Sequence, residues 1–411
     1  MPDRSMEATE ESLERADMET ILQFPMRRTC PWLPPPEYAE LRKGPPRKVR
    51  LPNGLEAWIV TRYEDVQLAL SDPRFSVDHT QPGFPLRIQV PPTPRGQSFF
   101  RMDEPEHGRL RRMIMPQFTA RSTRELRPVV EGLIGELLDE MAAGPPVIDL
   151  VQAFTQPLPT LVLAAVFGVP KADQRMFARM TRAILAQDLT PEEVYAAALE
   201  MGDYLKQLIA AKERDPGGDL LSRLVTDHLA KGELTHDDLV AMARLILVAG
   251  YETSAKQLAL SFLALLRSPG HLAQLRDDPA LIKPAVQELL RYWAVSEDNM
   301  GKLALEDIEI SGAHIAKGDA VVIAIPAANH DERHFPDPGR LDFHRDAGGH
   351  MTFGWGPRYC PGAPLAVMEL ELALPAMFER FPGLRLAADP EELHFLFPNL
   401  VYGVTALPVA R

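Results

Sequence analysis

A mostly helical protein with small β-sheets near its ends is what this sequence of 411 residues predicts, and three observations lead there. Apolar residues recur at helical spacing through most of residues 103–293. Short strand-like runs bounded by turn residues are confined to about 47–60, 302–325 and 394–408. The 39 prolines cluster early, at 34–36, 45–46 and 91–94, where a missing N–H and a restricted preceding residue disfavour helix. The composition, 45% hydrophobic and 25% charged, is that of a folded globular chain and excludes disorder and collagen-like repeats. A net charge of −13 argues against a general nucleic-acid binder, which needs a basic face. Two cysteines, Cys30 and Cys360, are too few for a disulfide framework or a four-cysteine zinc site. Residues 1–20 are acidic without an apolar core, so no signal peptide is expected. Leu245 to Leu266 carries Glu252 and Lys256, so it reads as buried in protein rather than as a membrane span. A cytoplasmic protein is expected, with a flexible arm over 1–30 and a single domain over 31–411.

Val49 and Leu51, the Asn53-Gly54 turn and Leu55 to Val60 predict a hairpin. Thr61 to Glu64 has the pattern of a capping box opening a helix to about Ser71. Residues 77–100 lack periodicity and read as a long loop, often a functional feature in a compact domain. Helices are then predicted at 103–115, 122–142, 150–167, 173–187, 191–213 and 218–230. Thr235 with Asp238 caps a further one that runs to Arg267, about 48 Å at 1.5 Å per residue. A helix this long, apolar on most sides around Leu245 to Ala249, should cross the centre of the molecule. Helix is expected again at 279–293 and 361–381, strands at 302–310 and 319–325, and a terminal hairpin at 394–408.

The segment Phe353-Gly354-Trp355-Gly356-Pro357-Arg358-Tyr359-Cys360-Pro361-Gly362 carries the most chemistry. Its glycines permit tight turns and close approach to a flat group. Cys360 stands just before a helix whose N-terminal N–H groups stabilise a thiolate. This stretch resembles the haem-binding loop of the cytochrome P-450 family, Phe-Gly-x-Gly-x-Arg-x-Cys-x-Gly. Four further segments resemble that family in order and spacing. Glu288-Leu289-Leu290-Arg291 is similar to its E-x-x-R. Ala249-Gly250-Tyr251-Glu252-Thr253 is similar to its oxygen-activating motif. His107 to Arg111 is similar to its H-x-x-x-R. Residues 328–338, with Ala328-Asn329-His330-Asp331 and Phe335-Pro336-Asp337-Pro338, are similar to the meander before the cysteine. The likeness runs from about residue 30 to the C-terminus and is to the soluble bacterial class.

The resemblance implies a cytochrome P-450 fold, with the long central helix over a buried haem b. Cys360 would be the axial ligand to the haem iron, with Phe353 shielding it and Gly362 beside it. A thiolate ligand donates electron density and favours O–O cleavage. His107, Arg111 and Arg358 would pair with the two propionates. Lys302 stands where the family usually has an arginine, and can neutralise a propionate without forming a bidentate fork. Glu288 and Arg291 would form a buried structural network. Glu252 and Thr253 would deliver protons during oxygen activation, next to Ala249 and to Gly250, where the helix is expected to open locally.

The pocket would be lined by Phe84, Leu86 and Ile88 of the loop, Val295, Glu297 and Asp298 after E-x-x-R, and Asn399 of the last hairpin. Glu297 and Asp298 could recognise a basic amine or simply face solvent. The expected activity is insertion of one oxygen atom from O2 into a lipophilic small molecule, by hydroxylation or epoxidation, in secondary metabolism. With no reductase domain in the chain, electrons from NAD(P)H would arrive through a separate ferredoxin and ferredoxin reductase. Arg109 and Arg112 are expected to face outward as a patch for an acidic donor. A peroxide-using haem enzyme and a non-catalytic haem binder are the two rival readings. Cys30 has no assigned role.

Overall fold

The computed structural model describes residues 21–86, 99–184, 189–296 and 301–411. Eleven short strands lie among the described residues: β1 (Leu22–Gln23), β2 (Arg47–Arg50), β3 (Glu56–Val60), β4 (Phe75–Ser76), β5 (Val147–Asp149), β6 (Gly301–Ala304), β7 (Ile308–Ile310), β8 (Ala313–Ile315), β9 (Ala320–Ile323), β10 (Arg385–Leu386) and β11 (Pro408–Ala410). Six of them form one sheet in the order β1-β2-β3-β9-β6-β4. The predicted hairpin is its centre: Val49 pairs with Ala57 across the Asn53-Gly54 turn, where Gly54 takes φ +83°. β9 then adds in parallel to β3, Trp58 opposite Val321. Residues 21–30, expected to belong to a flexible arm, are instead part of the packed body. Leu22 pairs with Val49, and Phe24 and Met26 are buried against Val49 and Leu51. Apolar burial of this kind orders a terminus that sequence position alone would leave loose.

Helices fill the middle of the chain, close to where periodicity placed them. The central helix, His236–Arg267, is capped by the expected box, the Thr235 side chain accepting from Asp238 N and the Asp238 carboxylate accepting from Thr235 N. Two predicted helices begin or end in wide turns, Val151–Thr155 before the helix Pro157–Phe167 and Val225–Leu229 after Leu220–Leu224. A helix at Pro269–Asp277 was not anticipated. The helix Tyr63–Ser71 also differs at its start: Thr61 does not cap it. The Tyr63 N–H donates instead to Asp331, 2.9 Å away in the segment before the cysteine loop, so the cap comes from a distant part of the chain.

The main core lies between the central helix and its neighbours, and a second cluster sits beneath the large sheet. Gly250 lets the central helix approach the helix Pro157–Phe167, because a Cβ there would meet Leu163 Cδ1 at 3.2 Å. The expected local opening at Gly250 is absent: the helix runs unbroken through Ala249 to Thr253. No described helix is long and apolar enough to cross a membrane.

Candidate haem site

The cysteine loop is held by its own backbone. Gly354 and Gly356 adopt φ +75° and +70°, a region L side chains avoid. The Cys360 N–H donates to Phe353 O at 2.8 Å and the Gly354 N–H to Met351 O at 2.8 Å. A Cβ on Gly356 would sit 2.9 Å from Ser71 Cβ, so the loop presses directly on the helix Tyr63–Ser71. Burial pushes the Cys360 thiol up, while the Gly362 and Ala363 N–H groups and the Arg111 charge pull it back, with a net rise. The sequence argument weighed only the helix end, and desolvation outweighs it. A metal cation on sulfur reverses that balance, because a coordinating thiol is deprotonated outright.

Cations gather around this loop. Arg111 donates to Tyr359 O at 2.5 Å, and its other terminal nitrogen is buried without a partner. Arg358 grips the backbone of the preceding turn, donating to Phe100 O at 3.1 Å and Met102 O at 2.6 Å. His107 is 1% exposed. Its Nδ1 lies 2.8 Å from the Glu104 carboxylate, and its Nε2 is buried with no partner. Lys302 is buried on β6, with its ammonium donating to Leu70 O at 3.2 Å. Burial and then the Arg358 charge push it down to about 8. Burial also depresses His107 and Arg358, with the neighbouring cations adding to the effect on His107.

Such a cluster is costly unless an anion joins it. Orphaned N–H donors, buried cations and a single thiol are a donor set that fits a flat metal macrocycle bearing two carboxylates. Among the described residues no three His, Cys, Asp or Glu side chains gather to hold a bare metal ion.

The sequence missed three contributors. Glu104 orients His107, and its own carboxyl is held low by that hydrogen bond. Arg101, depressed by burial, sits on the turn that Arg358 grips and acts on His79, whose Nδ1 is buried and unpaired. The only signal for Glu104 was its position three residues before His107. Nothing in the pattern marked Arg101 or His79. Arg109 faces outward as expected, its side chain 41% exposed, and binds Glu106 at 3.0 Å and Glu233 O at 3.1 Å. Arg112 is exposed as expected.

On the central helix, Leu245, Val248, Ala249, Glu252 and Thr253 form a partly open stripe at helical spacing, beside the exposed Arg244. Thr253 Oγ1 donates to Ala249 O at 2.7 Å. Glu252 is pushed up by burial and drawn down by the Lys256 charge. The Glu288 and Arg291 pair is fully buried. Arg291 bonds both Glu288 oxygens at 2.7 and 2.8 Å, Asn329 O at 2.8 Å and Pro338 O at 3.0 Å.

Of the pocket candidates, Ile88, Glu297 and Asp298 lie outside the described residues. Phe84 is buried and packs against the start of β6, 3.5 Å from where a Gly301 Cβ would stand. The Leu86 carbonyl is held by Asn53 at 3.2 Å, at the tip of the first hairpin. Val295 and the last hairpin come together, with the Tyr402 N–H donating to Val295 O at 2.8 Å. Asn399 keeps a buried, unpaired Nδ2 on that hairpin.

The chain is similar to known proteins over nearly its whole length. The Cytochrome P450 family model matches residues 192–393. Cytochrome P450-SU2 of Streptomyces griseolus is 42% identical over 407 residues, covering 97% of this chain and 99% of the relative. Mycinamicin VIII C21 methyl hydroxylase of Micromonospora griseorubida is 38% identical, covering 95% and 100%. The crystal structure of CYP105N1 from Streptomyces coelicolor A3(2) superimposes with a TM-score of 0.90 at 40% identity, over 95% of this chain and 98% of that one. With identity and fold shared over nearly its whole length, the chain belongs to the cytochrome P450 family: it is a haem-dependent monooxygenase of bacterial type that draws its electrons from external donors.

Proposed function

We propose that the chain hydroxylates a lipophilic small molecule in secondary metabolism, with Cys360 as the haem-iron ligand and Glu252 and Thr253 as its proton-handling pair. The observation that carries the site assignment is the cluster of buried and half-buried cations beside the cysteine loop, with the orphaned His107 Nε2 and Arg111 nitrogens among them. His107, Arg111, Lys302 and Arg358 would hold the two propionates, and Phe353 with Gly362 would frame the thiolate. When bound, the haem supplies the activation of O2 and the insertion of one of its oxygen atoms into substrate.

The protein's own residues handle the protons. Thr253 carries the hydroxyl of the open stripe. Glu252, one residue before it and partly exposed like it, whereas Tyr251 is buried, would take a proton from water and pass it toward Thr253. Apolar neighbours on the helix keep bulk water from the same space. The hydroxylase relative supports an alcohol as the product. Electrons would come from NAD(P)H through a separate ferredoxin and its reductase in the cytoplasm, with exposed Arg112 as one contact.

The test is reconstitution of the purified holoprotein. Wild type and T253V are supplied with NADPH, a ferredoxin and its reductase, or with hydrogen peroxide alone. Wild type should consume NADPH and release little peroxide. T253V should keep its haem and its NADPH consumption while most of the reducing equivalents appear as peroxide. An unchanged peroxide yield in T253V removes the proton-handling role. Turnover supported only by peroxide replaces the external-donor reading with a peroxide-using one.

A further inference from the structure

One buried charge has no place in the scheme above. Lys256 lies one turn after Glu252 on the central helix, and is only 7% exposed. Its neighbours Ala255, Leu258, Ala259 and Leu260 are buried and apolar. The fold makes room for it: a Cβ on Gly403 would lie 2.4 Å from Lys256 Cδ and 2.9 Å from its Cγ. Its ammonium donates to Val404 O at 3.2 Å. A carbonyl does not neutralise an ammonium, and an uncompensated buried charge is expensive.

Two carboxylates act on it, Glu252 and Asp149. Asp149 Oδ1 is already taken by the N–H groups of Val151 at 3.0 Å and Leu407 at 2.8 Å. The Glu252 side chain makes no hydrogen bond to any described residue, and Lys256 is the charge that acts on it against burial. A glutamate four residues before a lysine is the favourable order on a helix. From the facing helix Gln174–Ile184, Arg182 acts on Tyr251 rather than on Glu252. Burial keeps the Tyr251 phenol neutral.

We propose that Lys256 is a positioning residue for Glu252. Its ammonium, moored inside the protein by Val404 O and the gap at Gly403, is the internal counter-charge that opposes the burial of this carboxylate and favours its ionised, proton-accepting form. The proposal rests on the proton-handling role of Glu252. It adds that the proton acceptor and its counter-charge are carried on one helix face, while the last hairpin holds the counter-charge in place.

The experiment is an infrared titration of the holoprotein, following the C=O stretch of protonated Glu252, identified by its loss in E252Q. In K256M, which fills the same space without charge, the midpoint should move up by about one pH unit or more, a tenfold change in the ionisation constant. K256R should titrate close to wild type. G403A, whose methyl group displaces the lysine stem, should shift in the same direction as K256M. The acid limb of NADPH-driven oxygen consumption, with a ferredoxin and its reductase, should move by the same amount in K256M, which lost packing alone would not cause. Coincident midpoints in wild type and K256M overturn the proposal. The proton-handling role fails separately, if E252Q divides its reducing equivalents between water and peroxide as wild type does.

Discussion

At the scale of single residues, the site turns on which nitrogen carries a proton. Nδ1 already donates to the Glu104 carboxylate, and a propionate oxygen accepts only, so His107 can bind both at once only as the doubly protonated imidazolium. Burial, the larger effect, opposes that form, and the hydrogen bond that Glu104 accepts favours it. Glu104 thus does for His107 what an outer carboxylate does for a metal-bound histidine. Removing the imidazole in H107L should speed haem loss to apomyoglobin about tenfold or more, as expected for a charge-assisted hydrogen bond. E104Q, which leaves His107 in place, should fall between the two, and equal rates in all three proteins exclude the contact. Sequence reading reached His107, Arg111, Arg358 and Cys360 because each sits in a motif with fixed spacing. It did not reach Arg101 or His79, because what brings them together is the fold of a loop without periodicity, which leaves no local signature in a single sequence.

At the scale of elements, the proximal side is held by one buried knot. Glu288 accepts from Arg291, from the Asp342 N–H at 3.0 Å and from Arg345 at 3.2 Å. Asn329 bonds the Arg291 carbonyl at 3.2 Å, Thr352 at 2.9 Å and the Met351 N–H at 2.7 Å. The helix Ile282–Trp293, the meander and the entry to the cysteine loop are therefore tied at one point. R291K keeps the charge but cannot span Glu288, Asn329 and Pro338 at once. It should cost about 3 kcal/mol or more, seen as a lower Tm and a lower haem content by pyridine haemochrome. Breaking the exposed Arg121–Glu125 pair, with Arg121 85% exposed, should change Tm by almost nothing. A Tm for R291K equal to that of the exposed control would reduce the knot to a surface-like ion pair.

The helices were legible because an apolar stripe of period 3.6 is a local signal. The sheet order β1-β2-β3-β9-β6-β4 was not, because the pairings of β3 with β9 and of β4 with β6 join residues more than 200 positions apart. The Asp331 cap on Tyr63 was hidden for the same reason, and Thr61 drew attention only because its local pattern mimicked a cap.

At the scale of the whole molecule, stability depends on a carboxyl that the chemistry does not use. Glu369 lies in the helix Ala363–Arg380 that leads away from Cys360. It is 3% exposed, with one oxygen buried and unpaired. That helix packs against Ala120–Ala143 and Ile282–Trp293, and among the described residues no cation offsets the burial, which pushes the carboxyl from 4.5 up to about 8. In the unfolded chain the same group ionises near its ordinary value. Between pH 4.5 and 8 the folded state therefore binds a proton that the unfolded state has released. Stability must fall as pH rises through that window, by about 5 kcal/mol at most. Below it both states are protonated, and above it both are ionised, so the contribution is flat on either side.

E369Q keeps the shape and removes the titration. Every other ionisable group is common to the two proteins, so their difference isolates this one. The Tm values of the two holoproteins should nearly coincide at pH 5. At pH 8 the variant should be the more stable, by on the order of 5 °C. Parallel Tm curves across that range would mean that Glu369 is ionised in the folded protein, and that a positive charge reaches it when the haem is bound.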